Sequence, residues 1–156
     1  SSFKTRLLAL KPGARISATS VGGDFQLPRD TSRKVLMVAS GIGITPFLSQ
    51  LRSAGARDRD IVLVYAASSV AELAYAAELA DLGVRVLVCT PADPSIPGWA
   101  WLGAGLPDAA SLSKAVPDAA ERTAFVAGSP SAVAAARSAL KGAGVRRVHT
   151  DPFLGY

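Results

Sequence analysis

The stretch "VLMVASGIGITPFLSQL", residues 35–51, constrains this chain more than any other. A β-branched, apolar run with little alternation ends at Ser40, the pattern of a strand buried on both faces. Gly41 and Gly43 follow one residue apart, then Thr45-Pro46 and an apolar stripe. The spacing predicts a strand over 34–40, a glycine turn, and a helix with Thr45 as N-cap, Pro46 at the first helical position and Gly55 beyond the last turn. At the carboxyl edge of a parallel sheet such a helix aims free N–H groups and the positive end of its dipole at the crevice. Glycines at 41 and 43 would let an anion as large as a pyrophosphate approach the backbone. A tight turn with no ligand would use glycine equally well. Pro46 also stands where the usual dinucleotide fingerprint has its third glycine.

The same strand-then-helix alternation continues. Residues 60–68, 84–90, 122–129 and 145–151 read as further strands. Residues 69–83 read as one helix capped by Ser69, 111–116 as a short helix, and the run from Pro130 as a long one. A Pro/Gly-rich stretch over 91–107 carries both tryptophans, Trp99 and Trp101, expected to pack over the sheet edge. Five short apolar strands separated by helices argue for an α/β fold, a five-stranded parallel doubly wound (Rossmann-like) sheet with right-handed crossovers. Residues 1–30 do not fit that plan. "LKPGARISATSVGGDFQLP" alternates like an antiparallel strand, and Pro28, Arg29 and Asp30 resemble a linker. The domain boundary is therefore drawn at 30/31, with 1–30 the tail of a different domain and 31–156 the sheet domain.

Composition narrows the class. With 156 residues, 49% apolar and 19% charged, the chain is one globular domain in size. No run reaches the roughly 18 apolar residues of a spanning helix, and "SSFKTRLLAL" lacks the plan of an export signal, so a cytoplasmic protein is expected. The net charge of +5 is scattered, without interleaved aromatics or a basic stripe, which leaves a weak footprint for nucleic acid and suits a phosphate-bearing small ligand equally. Cys89, alone in an apolar run, reads as a buried small hydrophobe, and lone His149 as a surface or hydrogen-bonded residue. No cluster suggests a metal.

A second glycine turn, "VAGSP", puts Gly128 and Ser129 at the exit of the fourth strand with Pro130 starting a helix. The two turns would meet if the first and fourth strands are neighbours, the place where doubly wound sheets bind ligands. The end of the second strand carries no acid. Ala66, Ala67, Ser68 and Ser69 stand where an NAD site often holds a ribose-binding carboxylate, and Glu72 is the nearest. That leaves room for a 2′-phosphate and tilts the reading toward NADPH, although no Arg stands at Ser68 to clamp it.

These motifs together resemble the nucleotide-binding half of the ferredoxin–NADP reductase superfamily of flavoprotein oxidoreductases. "GIGITPFLSQL" is similar to that family's Gly-x-Gly-x-Thr-Pro turn, and "VYAASSVAELAYAAEL" to its second strand and following helix. "FVAGSP" falls where the family usually has Cys-Gly-Pro, and "TDPFLGY" resembles its aromatic C-terminus. The opening residues, with Gly-x-Phe-x-Leu before the linker, look like the last helix and strand of the family's flavin-binding barrel.

The resemblance implies an NAD(P)H-dependent flavin oxidoreductase. NAD(P)H would deliver hydride to FAD or FMN held by the flavin domain of the parent chain, for onward transfer to an unknown electron acceptor. It implies that the backbone of Gly41, Ile42, Gly43, Ile44, Thr45 and Pro46 binds the pyrophosphate and nicotinamide side of the dinucleotide. Ser68 and Ser69 would lie near the adenosine ribose, and Gly128, Ser129 and Pro130 beside the nicotinamide. Asp151, Phe153 and Tyr156 would lie against the flavin, and Ser2 near its pyrophosphate. Thr45, Asp151 and Phe153 carry the catalytic assignment. The family's frequent cysteine beside the nicotinamide is Ala127 here, and no flavin-barrel Arg-x-Tyr-Ser strand is present, so the chain alone would not hold FAD. The rivals are a nucleotide-binding regulatory domain without chemistry, and a methyltransferase, against which Ser40 and Ser68 stand in place of its expected acids.

Overall fold

The computed structural model describes residues 2–17, 22–23, 25–53 and 58–153. Helix α1 (Ser2–Leu8) precedes a sheet of six strands: β1 (Val35–Ser40), β2 (Ile61–Ala66), β3 (Arg85–Cys89), β4 (Ala100–Trp101), β5 (Thr123–Gly128) and β6 (Arg147–Pro152). The intervening helices are α2 (Ile44–Leu51), α3 (Ala76–Asp81), α4 (Ala109–Ala115) and α5 (Pro130–Gly142). The order is β4-β3-β2-β1-β5-β6 and every pairing is parallel. The chain thus builds outward from β1 to β4, then returns to lay β5 on the other flank of β1. The sixth strand is the two-residue β4, too short for any periodicity. It forms because Ala100 and Trp101 pair with Leu87 and Val88, and the Trp101 indole donates to the Thr90 carbonyl at 2.9 Å.

The non-alternating apolar runs are explained by helices on both faces. Val35, Met37 and Ala39 face one cluster with Ile44, Phe47, Leu48 and Leu51 of α2 and Leu79 of α3. Leu36 and Val38 face the other, with Leu112 of α4 and Val133, Ala136 and Leu140 of α5. Cys89 is buried in that second layer and burial pushes its thiol up to about 11, so it behaves as a packing residue.

The helix expected over 69–83 is broken. Residues 70–72 form a 3₁₀ turn, and α3 begins only after Tyr75, which takes a left-handed φ of 61°. The reason lies in the core. Leu73 and Leu79 are both buried, and six residues apart they would point about 120° apart on one continuous helix. The break lets both turn inward, and the Tyr65 hydroxyl donates to the freed Ala74 carbonyl at 3.4 Å. The short helix near 111 starts earlier, at Ala109, because Asp108 caps it by accepting from the Ser111 amide at 2.8 Å.

Among the described residues of the opening segment no strand forms. Phe3, Leu8 and Ile16 are widely exposed, at 70%, 87% and 73%. From Phe25 onward the segment instead packs on the sheet domain. Phe25 meets Phe47 and Phe125 at ring-centroid distances of 5.6 and 5.5 Å, and Leu27 joins the same cluster. Gln50 donates to the Phe25 carbonyl at 2.7 Å, and Arg59 donates to the carbonyls of Asp30 and Pro28.

The amino ends of three strands are tied by one guanidinium. Arg122, its side chain 4% exposed, donates to both carboxyl oxygens of Asp60 at 2.8 and 3.1 Å, to Asp118 at 2.9 and 3.0 Å, and to the Val35 carbonyl at 3.1 Å. Lys34 adds contacts of 2.9 Å to Asp118 and to Glu121. The Arg122 hydrogen bond, helped by Lys34, draws the Asp118 carboxyl from 3.8 down to about 2. A depressed carboxylate stabilises the fold fully above its unfolded pKa, about 3.9, and that stabilisation is lost as pH falls through about 2. Replacing Arg122 with Met takes this donor from Asp60 and the Val35 carbonyl and leaves Asp118 with Lys34 alone. Because Asp60 is half exposed, the expected loss is about 2–3 kcal/mol, measured by urea unfolding at neutral pH. The same variant is expected to lose less stability than the parent protein between pH 4 and pH 2, roughly the window the shift defines.

Candidate functional site

The switch in winding direction falls between β1 and β5, so the glycine turns that follow them are neighbours at the carboxyl edge. They are in contact. A Cβ built on Gly43 would lie 2.1 Å from the Ala127 carbonyl oxygen and 2.8 Å from the Gly128 nitrogen. A Cβ on Gly128, whose φ is +153°, would lie 3.0 Å from the Ser40 Cβ. Gly43 is therefore required by backbone packing between the two turns and is buried. Gly41 differs. Its φ is +54°, and beyond its two chain neighbours no atom of the described residues lies within 4 Å of a built Cβ, so the space above it is open.

Helical winding begins earlier than the cap residues suggest. Residues Gly41–Gly43 form a 3₁₀ turn that runs directly into α2. Thr45 is consequently the second residue of α2 rather than its N-cap, and its hydroxyl donates to the Ile42 carbonyl at 3.0 Å. Pro46 is the third residue, not the first, tolerated because amides in the first turn have no helical partner. The early winding follows from Gly41, whose left-handed backbone lets the chain turn straight out of the strand. Ile44 is fully buried, whereas Ile42 is 49% exposed.

The structure brings together most of the residues singled out in the sequence. Ser129 caps α5, accepting from the Ala132 amide at 3.3 Å, and Pro130 opens that helix as expected. Gly128 is held by the Phe153 amide, which donates to its carbonyl at 2.9 Å. Asp151 sits on β6 opposite Ala127 of β5. Pro46, Thr150 and Asp151, with Gly22, Gly23, Phe25 and Gln26 of the opening segment, line a crevice of about 370 Å³. Ser2 lies exposed at the start of α1, and Tyr156 lies outside the described residues. His149 is on the surface as expected, with its ring stacked on Phe125 at 4.8 Å.

One feature of the site escaped the sequence reading. Ser69 makes no side-chain cap bond. Ser68, just past β2, donates its hydroxyl to the Glu72 carboxylate, which the 3₁₀ turn over 70–72 folds back to the strand end. The second strand thus does have an acid at its carboxyl end. The i, i+4 spacing of Ser68 and Glu72 was the available signal, obscured by the expectation of one regular helix.

A family model for the oxidoreductase NAD-binding domain matches residues 37–138, which span both glycine turns. The chain belongs to the oxidoreductase NAD-binding domain family. Similar proteins include the ferredoxin reductase component of 3-ketosteroid-9-alpha-monooxygenase from Mycolicibacterium smegmatis, 32% identical over 90% of this chain and 39% of its own length. An NADPH oxidoreductase from Mycobacterium tuberculosis is 35% identical over 51% of this chain and 22% of its own. The crystal structure of a cytochrome P450 reductase from Amycolatopsis superposes with a TM-score of 0.71 at 25% identity, covering 93% of this chain and 46% of that one. The chain therefore spans less than half the length of these relatives. Fold and family are those of the NAD-binding domain of ferredoxin reductase-like oxidoreductases, and the reading as a regulatory domain without chemistry finds no such support. Among the described residues no group of His, Cys, Asp and Glu could hold a metal ion, and no helix is long and apolar enough to cross a membrane.

The two glycines separate packing from ligand access. Gly43→Ala forces a methyl into the Ala127–Gly128 peptide and is expected to cost about 3 kcal/mol or more. Gly41→Ala meets open space and is expected to cost only about 1 kcal/mol, the strain of a left-handed residue. Paired denaturant titrations of the two variants check the contrast.

Proposed function

We propose that this chain is the NAD(P)H-binding module of a two-domain flavoprotein reductase. The observation that carries the reading is the contact between the turns after β1 and β5, which leaves Gly41 open at the switch point of an NAD-binding fold. Gly41, Ile42 and Thr45 would hold the pyrophosphate and nicotinamide side, chiefly through backbone N–H groups and the dipole of α2. Ser68 and Ser69 would lie at the adenosine ribose. Gly128, Ser129 and Pro130 would border the nicotinamide, where Ala127 gives no thiol.

The flavin would come from a preceding domain of which residues 1–30 are the end. Supporting this, α1 and the residues after it leave Phe3, Leu8 and Ile16 uncovered, as surface meant for another domain would be. The Phe25–Asp30 segment would then fix the angle between the domains, through its aromatic contacts and the Gln50 and Arg59 hydrogen bonds. The crevice between that segment, Pro46 and Asp151 fits the edge of a planar ring system, with glycine backbone on one wall. A flavin held there would supply the redox chemistry, the acceptance of hydride from a nicotinamide. The residues of this chain position and shield. Asp151, Phe153 and Tyr156 would form the wall against the flavin, and Thr45 would keep the nicotinamide face dry and aligned.

Gly41→Asp tests the reading, because Asp tolerates the left-handed backbone and places a negative charge where the pyrophosphate would lie. In the flavoprotein with its flavin domain attached, mixing with NADH or NADPH is expected to bleach the flavin. Gly41→Asp is expected to weaken the dinucleotide at least roughly tenfold, and the neutral Gly41→Asn less. Absence of bleaching by either nucleotide would remove the proposal.

A further inference from the structure

Ser69-Val70-Ala71-Glu72 has the spacing of a capping box, in which the glutamate turns back to the amide of the capping serine. Here that box does not form. Ser69 offers no side-chain cap, and the Glu72 carboxylate accepts from the Ser68 hydroxyl instead. Ser68 stands two residues beyond Ala66, the last residue of β2, which is in register with Ser40 just before the glycine turn. An exposed carboxylate is thus held at the carboxyl end of the strand beside β1, with one serine to orient it and no helix end to cap.

The charges around it point one way. From residue 67 to residue 80 the chain has no Lys or Arg. This corner therefore has an acceptor for hydroxyl groups, and its own segment supplies no cation for a phosphate. A carboxylate at the end of the second strand is well placed to accept from the 2′-hydroxyl of an adenosine ribose. A 2′-phosphate in that place would bring about −1.5 to −2 further charge against it.

We propose that Glu72, oriented by Ser68, selects NADH over NADPH. Its carboxylate accepts from the ribose hydroxyls and repels a 2′-phosphate. The selection rests on the dinucleotide-binding reading above and reverses the tilt toward NADPH that the bare Ser68-Ser69 pair gave. It also separates this chain from its relative named as an NADPH oxidoreductase.

The adenosine half can be probed without a flavin. The chain is titrated by calorimetry with ADP-ribose and with 2′-phospho-ADP-ribose, at low and raised salt, alongside Glu72→Gln, which keeps the side chain's shape. ADP-ribose is expected to bind roughly tenfold more tightly than the phosphorylated probe, and raised salt is expected to narrow that gap. Glu72→Gln is expected to bring the two within about threefold, mainly by tightening the phosphorylated probe, and to make the remaining difference insensitive to salt. Equal affinities in the parent chain, tighter binding of the phosphorylated probe, or a gap unchanged by Glu72→Gln would overturn the selection and leave the dinucleotide site standing. Binding of neither probe would overturn both.

Discussion

The contact between Gly43 and the Ala127–Gly128 peptide is the constraint on which the carboxyl edge depends. It joins the first strand's turn to a strand nearly ninety residues later in the chain, and it does so at a distance no side chain permits. Because the two turns touch, the start of α2 is set against the end of β5. Because β5 lies beside β1, the chain must reverse its winding there. One steric requirement thus fixes both the crevice and the residues that border it. Gly41, two positions earlier, has the opposite character: a left-handed backbone and open space.

The amino edge is held by charge. Arg122 gathers Asp60, Asp118 and the Val35 carbonyl at the starts of β2, β5 and β1. A buried guanidinium that donates in several directions is costly to desolvate and stable only when its fork is satisfied, as it is here. A groove near this edge, about 530 Å³ at the starts of β2 and β3, is lined by Arg52, Arg59 and Arg85. Each of those arginines is already engaged: with Glu78, with the backbone of residues 28 and 30, and with the Ala115 carbonyl. The sheet therefore has a mechanical end, locked by ion pairs, and a chemical end, left open by glycine. The Phe25–Asp30 strap links them, with Phe25 in the core between Phe47 and Phe125 and the carbonyls of Pro28 and Asp30 bound by Arg59.

The site region departs from regular helix geometry where its chemistry is concentrated. The segment after β2 gives up a continuous helix so that Leu73 and Leu79 can both be buried. The same break folds Glu72 toward Ser68. A packing demand in the core thereby sets the charge at the end of the strand.

The sequence by itself determined the α/β class, five of the six strands, the two glycine turns and the start of α5 at Pro130, because each rests on local periodicity or on a residue with a restricted backbone. It also determined the family, through motifs in their right order along the chain. The tertiary structure alone decided what depends on distant partners. Gly43 proved to be a packing glycine because strand five lies against it. Thr45 moved into the helix because Gly41 lets winding begin at the strand's end. β4 exists only because β3 offers an edge. Glu72 reached the end of β2 because two leucines six residues apart both had to enter the core. Local sequence specifies which turns and helices a chain can make; the packing of remote segments chooses among them, since burial and steric exclusion act between residues that the linear order keeps apart.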